Sequence, residues 1–500
     1  MNPDHRTLTL AHPHRLYIGG EWVEPSSSST IEVISSDTEE TVVTVAAASH
    51  ADVVKAVSAA RNAFDDGPWP RMSHAERAAY LRLIIAELER RAEDFARIWT
   101  LESGILYKLA RARIGSWMSG AFTFYADLAE TFSFTESHRS ATGLQALLIR
   151  EPVGVVAAII PWNGPAGLIA YKCAPALLAG CTVIVKASPE APCSAYLMAE
   201  ICEKVGLPPG VFNILTADRE VSEGLVRHPG VDKVTFTGST AAGRRIASIC
   251  GDRIARCTLE LGGKSPAVVL DDFDIGVAAR TIAAGVGYLT GQVCHSLTRV
   301  IVSRTRQDEM LDALSSTLAD LRVGDPFDPA SDVGPLATAR QRERVERYIA
   351  LGIAGGARLA AGGGRPAHLD RGFFVEPTVF GDVDNRSVIA QEEIFGPVLS
   401  VIPADDERHA VSLANDTMYG LNSAVFTRDI DRFRAVARQL RAGTVGHNGS
   451  RTDFSIAFGG FKQSGLGREG GTEGLLPFLE TKNVVLDMPL TDQPADGQKA

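Results

Sequence analysis

From residue 152 onward the sequence alternates short, nearly continuous apolar runs with stretches of helical periodicity, and this alternation limits the fold more than any other feature. The pattern predicts strands over 153–160, 182–185, 211–215, 233–236 and 257–261, and helices over 166–178, 194–205, 221–227 and 239–249. Strands that are apolar at successive positions must be covered on both faces, and a parallel sheet flanked by helices does this. Ligands of such sheets bind beyond the carboxyl ends of the strands. That rule puts 161–163, Lys186 and 237–239 on one binding edge. A second α/β region is expected from about residue 262, with helices over 275–286, 307–321, 338–350, 408–414 and 430–440 and strands over 299–302, 398–402 and 423–426. The fold class is therefore α/β, a doubly wound parallel sheet followed by a second α/β unit.

Upstream, Ser49 with Asp52 forms a helix-start signal, followed by Val53, Val57, Ala60 and Phe64 at helical spacing. Ser73 with Glu76 opens a long helical pattern that ends near Gly104. The 500 residues, 45% of them hydrophobic, suffice for two or three domains. A net charge of -10 argues against general nucleic-acid binding, which needs a positive footprint. No apolar run is long enough to cross a bilayer, and the polar first fifteen residues carry no signal-peptide core, so a cytoplasmic protein is expected. The last ten residues are polar and are expected to fray. Seven cysteines, an odd number with no CxxC pair, argue against a disulfide framework or a structural zinc site, and no metal is expected.

Among the cysteines, Cys294 stands out. In Thr290-Gly-Gln-Val-Cys-His295 the preceding Gly291 and Gln292 read as a loop, which can present a thiolate to backbone N–H groups. His295 suggests a dyad, but adjacent side chains diverge. Glu260 sits between apolar residues at a strand end, before Gly262 and Gly263; it reads either as an edge carboxylate or as a general base whose pKa desolvation raises. Asn163 closes the first strand of the parallel sheet and is either a turn residue or a donor to a developing oxyanion. The strand–turn–helix junction 236–243 can hold a pyrophosphate. Two lookalikes fail. Gly263-Lys264-Ser265 lacks the first glycine of a P-loop, because Thr258 stands there, and Gly465-Leu-Gly-Arg-Glu-Gly470 matches GxGxxG without the βαβ unit that motif requires.

Taken in order, Pro161-Trp-Asn163, Phe236-Thr-Gly-Ser239, Leu259-Glu-Leu-Gly-Gly263, Gly291-Gln-Val-Cys294, Glu392-Glu-Ile-Phe-Gly-Pro397 and Phe458-Gly-Gly-Phe-Lys-Gln-Ser-Gly465 resemble the aldehyde dehydrogenase superfamily, over about 17–485. The resemblance implies a non-acylating, NAD(P)-dependent oxidation of an aldehyde to its acid, through a thiohemiacetal and a thioester on Cys294. It implies that Asn163 donates to the oxyanion and that Glu260 activates the cysteine or the deacylating water. It places Ile159, Ile160, Trp162, Lys186, Gly238, Ser239, Gly243, Leu261, Glu393 and Phe395 about the cofactor. Lys172 and Glu480 resemble a proton-relay pair. The implied domains are a cofactor-binding one over 1–133 and 152–260, a catalytic one over 261–463, and a β arm over 134–151 and 479–490 used in forming a homodimer or homotetramer. Three positions depart from the family pattern: Pro189 where many NAD-preferring members have Glu, with Glu190 one place later; Ala217 for a frequent Gly; and Ala457 for a frequent Pro. NAD is the expected cofactor, with NADP kept as the alternative.

The same alignment lines a substrate tunnel with Gly164, Leu168, Tyr171, Val293, His295, Phe454 and Phe458, with Gly164 removing bulk near the mouth. Apolar and aromatic walls without a fixed Arg or Lys favour an uncharged aliphatic, terpenoid or aromatic aldehyde. Acyl transfer to coenzyme A is disfavoured by Glu260, a base for water. A redox-free cysteine hydrolase leaves Lys186, Ser239 and Glu393 without purpose, and a non-catalytic protein leaves the trio Cys294, Glu260 and Asn163 unexplained.

Overall fold

The structure, a computed structural model, describes residues 6, 8–141 and 143–487. The expectations for the last ten residues, and for 1–5, 7, 142 and 488–490 of the expected domains, fall outside these.

Two α/β sheets carry the molecule. The first has six strands in the spatial order Gly465–Leu466, Arg256–Glu260, Lys233–Thr237, Val155–Ile159, Thr182–Ala187 and Phe212–Thr216. All pairings are parallel except that of Gly465–Leu466 with Arg256–Glu260. From Val155–Ile159 the chain builds outward in one direction through Thr182–Ala187 and then in the other through Lys233–Thr237. The strand order therefore reverses between Val155–Ile159 and Lys233–Thr237, and the crevice for a ligand lies beyond the carboxyl ends of these two. The second sheet runs Arg358–Ala361, Thr378–Gly381, Val398–Ala404, Leu297–Ser303, Ser265–Val269, Asn422–Phe426, Thr444–His447, with only the first pairing antiparallel. A third, antiparallel sheet joins Leu479–Leu486, Gln145–Pro152 and Thr135–Arg139.

The expected α1 is His50–Asp65, and its capping box forms: Asp52 accepts from the Ser49 N–H at 2.9 Å. Val53, Val57 and Ala60 face the core. The long pattern after Ser73 is two helices, His74–Arg90 and Ala92–Ser103, because Arg91 leaves helical geometry (φ -104°, ψ 12°). Gly104 closes the second at φ 78°, where an L side chain is strained. An unforeseen 25-residue helix, Tyr107–Thr131, follows.

That helix covers one side of Pro165–Ala179, whose fifteen residues are all buried between it and the first sheet. Full burial of a side chain such as Ile169 or Leu177 contributes about 1.5–3 kcal/mol. The same helix buries Lys172 completely, and a buried cation needs a carboxylate. Where that carboxylate comes from bears on the site.

Candidate active site

One cavity of about 1260 Å³ opens at the strand-order reversal and runs between the two large sheets. Its lining includes Trp162, Asn163, Gly164, Leu168, Tyr171, Gly238, Ser239, Glu260, Leu261, Val293, Cys294, His295, Glu393, Phe395, Phe454 and Phe458. The residues singled out from six separate motifs thus converge on one space.

The loop after Val155–Ile159 is pinned from below. Trp99 Nε1 donates to the Asn163 carbonyl at 2.8 Å, and Ser103 Oγ donates to the Trp162 carbonyl at 2.6 Å. Asn163 Nδ2 donates one hydrogen to the Gln292 carbonyl at 3.0 Å, on the segment that carries Cys294. An amide nitrogen has a second hydrogen, which is left for the cavity. The cysteine loop is held open by three consecutive left-handed residues, Leu289 (φ 48°), Thr290 (φ 53°) and Gly291 (φ 72°). Gln292, fully buried, holds it: its amide donates to the Leu289 carbonyl (3.0 Å) and the Ser103 carbonyl (3.4 Å) and accepts from the Ala337 N–H at 2.9 Å. The motif contained Gln292, but nothing in its neighbours indicated that it ties three segments together.

Cys294 is half-buried. Burial pushes its thiol pKa up, and the carboxylates of Glu393 and Glu260 push it further. His295 gives it no base. Burial lowers that imidazole to about 4, its Nδ1 lies 3.5 Å from Ser450 Oγ, and its ring meets the edge of Phe458.

Glu260 ends the strand Arg256–Glu260 and is 3% exposed, with neither carboxylate oxygen hydrogen-bonded among the described residues. Burial raises its pKa well above the usual range; Glu469 adds to the rise, and Lys172 and Arg468 oppose it. Lys172 donates to Glu469 in a fully buried ion pair, and Thr235 Oγ1 lies 3.4 Å from both partners. The expected partner, Glu480, lies elsewhere: it sits on the antiparallel strand Leu479–Leu486 opposite Glu151 and pairs at the surface with Arg256. The correction is one of position: Glu480 is held at the surface by Arg256, whereas Lys172 is buried completely. Glu469 is brought in by the backbone bridge between its own peptide and Phe458, at 2.7 and 2.8 Å.

At the other end of the cavity Glu393 is pushed up to about 7 by burial, although the Gly263 N–H donates to its Oε1 at 3.1 Å. Its other oxygen accepts nothing among the described residues. Phe395 is held at φ 62°, with its carbonyl bonded by Gln341 Nε2 at 2.6 Å and its ring edge-on to Trp162. Ser239 caps the helix Thr240–Asp252, accepting from the Ala242 N–H at 3.3 Å. Lys186 is 8% exposed and lowered to about 8 by burial, with Glu190 and Asp218 opposing. Glu190 is already engaged, by Ser188 Oγ and by Arg340 at 2.6 Å. Ile159 and Ile160 are core residues behind this edge. Gly243 is buried against the side chain of Leu261 instead of lining the cavity, so it lets helix and strand pack closely.

Two tunnel expectations change. A Cβ on Gly164 would lie 2.7 Å from the Trp117 indole, so this glycine does not widen the tunnel; it makes room for Trp117, contributed by the unforeseen helix Tyr107–Thr131. The lining also includes Arg113 and Arg451, so the wall is not free of arginine. Among the described residues no group of three or more His, Cys, Asp or Glu side chains could hold a metal, and no helix is long and apolar enough to cross a membrane.

A loop cysteine, a side-chain amide and a buried carboxylate thus share one cavity at the switch point of a doubly wound α/β sheet. Residues 22–484 match the model of the aldehyde dehydrogenase family. The chain is 44% identical over 479 residues to geranial dehydrogenase of Castellaniella defragrans, covering 96% of this chain and all of that one. It is 41% identical to 3-succinoylsemialdehyde-pyridine dehydrogenase of a Pseudomonas species, covering 94% and 98%. Among solved structures, the aldehyde dehydrogenase of Mycobacterium tuberculosis, complexed with NAD+, superposes with a TM-score of 0.94 at 44% identity, covering 97% and 100%. An aldehyde dehydrogenase mutant of Pseudomonas syringae, complexed with NAD+ and octanal, gives 0.93 at 38% identity, covering 97% and 100%. This chain belongs to the aldehyde dehydrogenase family and is an aldehyde dehydrogenase.

Proposed function

We propose that the protein oxidises an aldehyde to the carboxylic acid with NAD as hydride acceptor, through covalent intermediates on Cys294. The observation that carries this is the placement of Cys294, the Asn163 amide and Glu260 around one cavity that continues into the switch-point crevice. The crevice fits a dinucleotide in three ways: the helix capped by Ser239 opens onto it, Glu393 offers a free carboxylate oxygen suited to a ribose diol, and Phe395 stands fixed beside Trp162. The relatives solved with NAD+ point the same way. Ser239 and Gly238 would meet the pyrophosphate, Lys186 the adenosine ribose and Glu393 the nicotinamide ribose, with Trp162 and Leu261 flanking.

When bound, the nicotinamide supplies the hydride acceptor. The protein's own residues supply the rest. Cys294 releases its proton to water and, as the thiolate, adds to the carbonyl carbon, and the resulting oxyanion accepts hydrogen bonds from the second Asn163 Nδ2 hydrogen and from the Cys294 N–H. Once hydride has left, a thioester remains on the sulfur. Glu260, raised by burial, takes a proton from water, which attacks the thioester and releases the acid. Lys172 and Glu469 lie behind Glu260 and carry that proton onward.

We assign 1–133 and 152–260 to cofactor binding, 261–463 to catalysis, and 134–151 with 479–490 to the arm. The arm's edge strand Leu479–Leu486 exposes Val485 and offers unpaired backbone to a second copy, supporting a homodimer or homotetramer. The composition supports a cytoplasmic protein. The test of the activity is an aldehyde panel assayed with NAD and NADP in parallel, with Cys294→Ala as control. Reduced cofactor with the intact protein alone supports the reading. Higher efficiency with NADP overturns the cofactor choice, and an active Cys294→Ala overturns the mechanism.

A further inference from the structure

The cavity changes character along its length. Around Cys294 the wall is apolar, with Leu168, Tyr171, Val293 and Phe458, whereas the exposed residues at its solvent end include two arginines. Arg113 comes from the helix Tyr107–Thr131, and Arg451 from the loop after the strand Thr444–His447. Arg113 is not a loose surface cation. Its guanidinium lies 4.6 Å from the centre of the Tyr288 ring, a cation–π contact that orients the fork. Its charge also reaches His295, next to the reactive sulfur, and helps to lower that imidazole's pKa.

Neither arginine has an ion-pair partner among the described residues. Arg451 Nε donates only to the His447 carbonyl, at 3.3 Å. Asp453, two residues beyond Arg451, is folded onto its own turn: its Oδ1 accepts from the N–H and Oγ of Ser455 at 2.8 and 2.7 Å. Two arginines that line the cavity thus carry no ion pair among the described residues, although Asp453 lines it too. Arg113 also bonds to the Tyr288 side chain, but a guanidinium has five N–H donors, so others are left that match a carboxylate, and positive charge without an ion-pair partner at a cleft mouth concentrates anionic ligands.

We propose that the tunnel selects aldehydes that carry a carboxylate at the far end of an apolar chain, Arg113 receiving the carboxylate while Cys294 takes the carbonyl carbon. This rests on the reading of Cys294 as the group that captures aldehydes. It explains why apolar walls end in unmatched cations. It makes Arg113 a specificity residue, with Arg451 in support.

The test compares ω-carboxy aldehydes of increasing length with their terminal carboxamides, equal in size but neutral, and with octanal, all with NAD. At the best length the acid is expected to exceed the amide in kcat/KM by about tenfold, carried by KM and shrinking as salt is added. Arg113→Met collapses the ratio toward one, Arg113→Lys restores part of it, and Arg451→Met lowers it less. The proposal is overturned if amides and octanal match or exceed every acid with the intact protein, or if Arg113→Met leaves the ratio unchanged. Absence of reduced cofactor with every aldehyde, octanal included, refutes the catalytic reading itself and the proposal with it.

Discussion

Replacing Asn163 by alanine separates the oxyanion contact from everything else its loop does. The backbone there is held by Trp99 and Ser103 through the carbonyls of residues 163 and 162, so the main chain stays in place when the side chain goes. What is lost is one neutral hydrogen bond to the Gln292 carbonyl and the second amide hydrogen, the one facing the cavity. The first loss costs about 1 kcal/mol of stability, a shift in Tm of no more than about 2 °C in a chain this long. The second acts only when the carbonyl oxygen acquires charge. Removing one such donor from a closed site raises the barrier by about 2.7–4 kcal/mol, so kcat should fall by about 10²–10³ with KM nearly unchanged. Single-turnover formation of reduced cofactor reads this step directly. A fall of less than about threefold, or a loss confined to KM, refutes the assignment of Asn163 as an oxyanion donor.

The remaining predictions concern charge. Burial holds Glu260 protonated to higher pH than an ordinary carboxylate, so thioester hydrolysis should rise with pH as the base form appears; in Glu260→Gln that limb disappears, while the pre-steady-state burst of reduced cofactor persists. Glu469→Gln removes a neighbouring negative charge, so the same limb should move to lower pH, and, because Lys172 is left buried and unpaired, stability should drop by about 3–5 kcal/mol. Glu480→Ala breaks only a surface pair with Arg256 and should leave the limb in place and kcat within about twofold, a result the originally expected relay does not allow. Glu102, wholly buried with its Oε1 accepting from the Cys193 N–H at 2.9 Å, is pushed up to about 8 from 4.5. The folded state then keeps a proton that the unfolded chain gives up, so stability falls as pH rises through that window. Glu102→Gln should therefore gain on the intact protein between pH 5 and pH 8, by an amount on the order of a few kcal/mol, measured as the change in Tm difference.

What could be read from the sequence followed from local repetition. Val155–Ile159 and Thr182–Ala187 are apolar nearly throughout, and a strand buried on both faces leaves that trace. Ser265–Val269 is just as central to the second sheet, yet it is absent from the expected strands, and its Pro266 is a residue that central strands rarely hold; the sheet absorbs it at a shift in register. The break at Arg91 was invisible because both helices keep one apolar period across it. That Cys294, Glu260 and Asn163 line one cavity follows from short motifs that keep their own local geometry. The partner of Lys172 was not, because Glu469 lies 297 positions away and is delivered by a bridge to Phe458 that leaves no sequence signal. Gly164 misled for a related reason: a missing side chain records that space is needed, and only the fold reveals that Trp117 takes it.

The central claim is that a substrate carbon becomes bonded to one sulfur. Mixing the intact protein with aldehyde and NAD, quenching within one turnover and mapping the adduct by mass spectrometry tests this most directly, best in Glu260→Gln, where hydrolysis is slow. An acyl group on Cys294, absent from Cys294→Ala along with all turnover, is the predicted result. Full turnover with no acyl group on any residue, or an acyl group on another cysteine while Cys294→Ala stays active, contradicts the account.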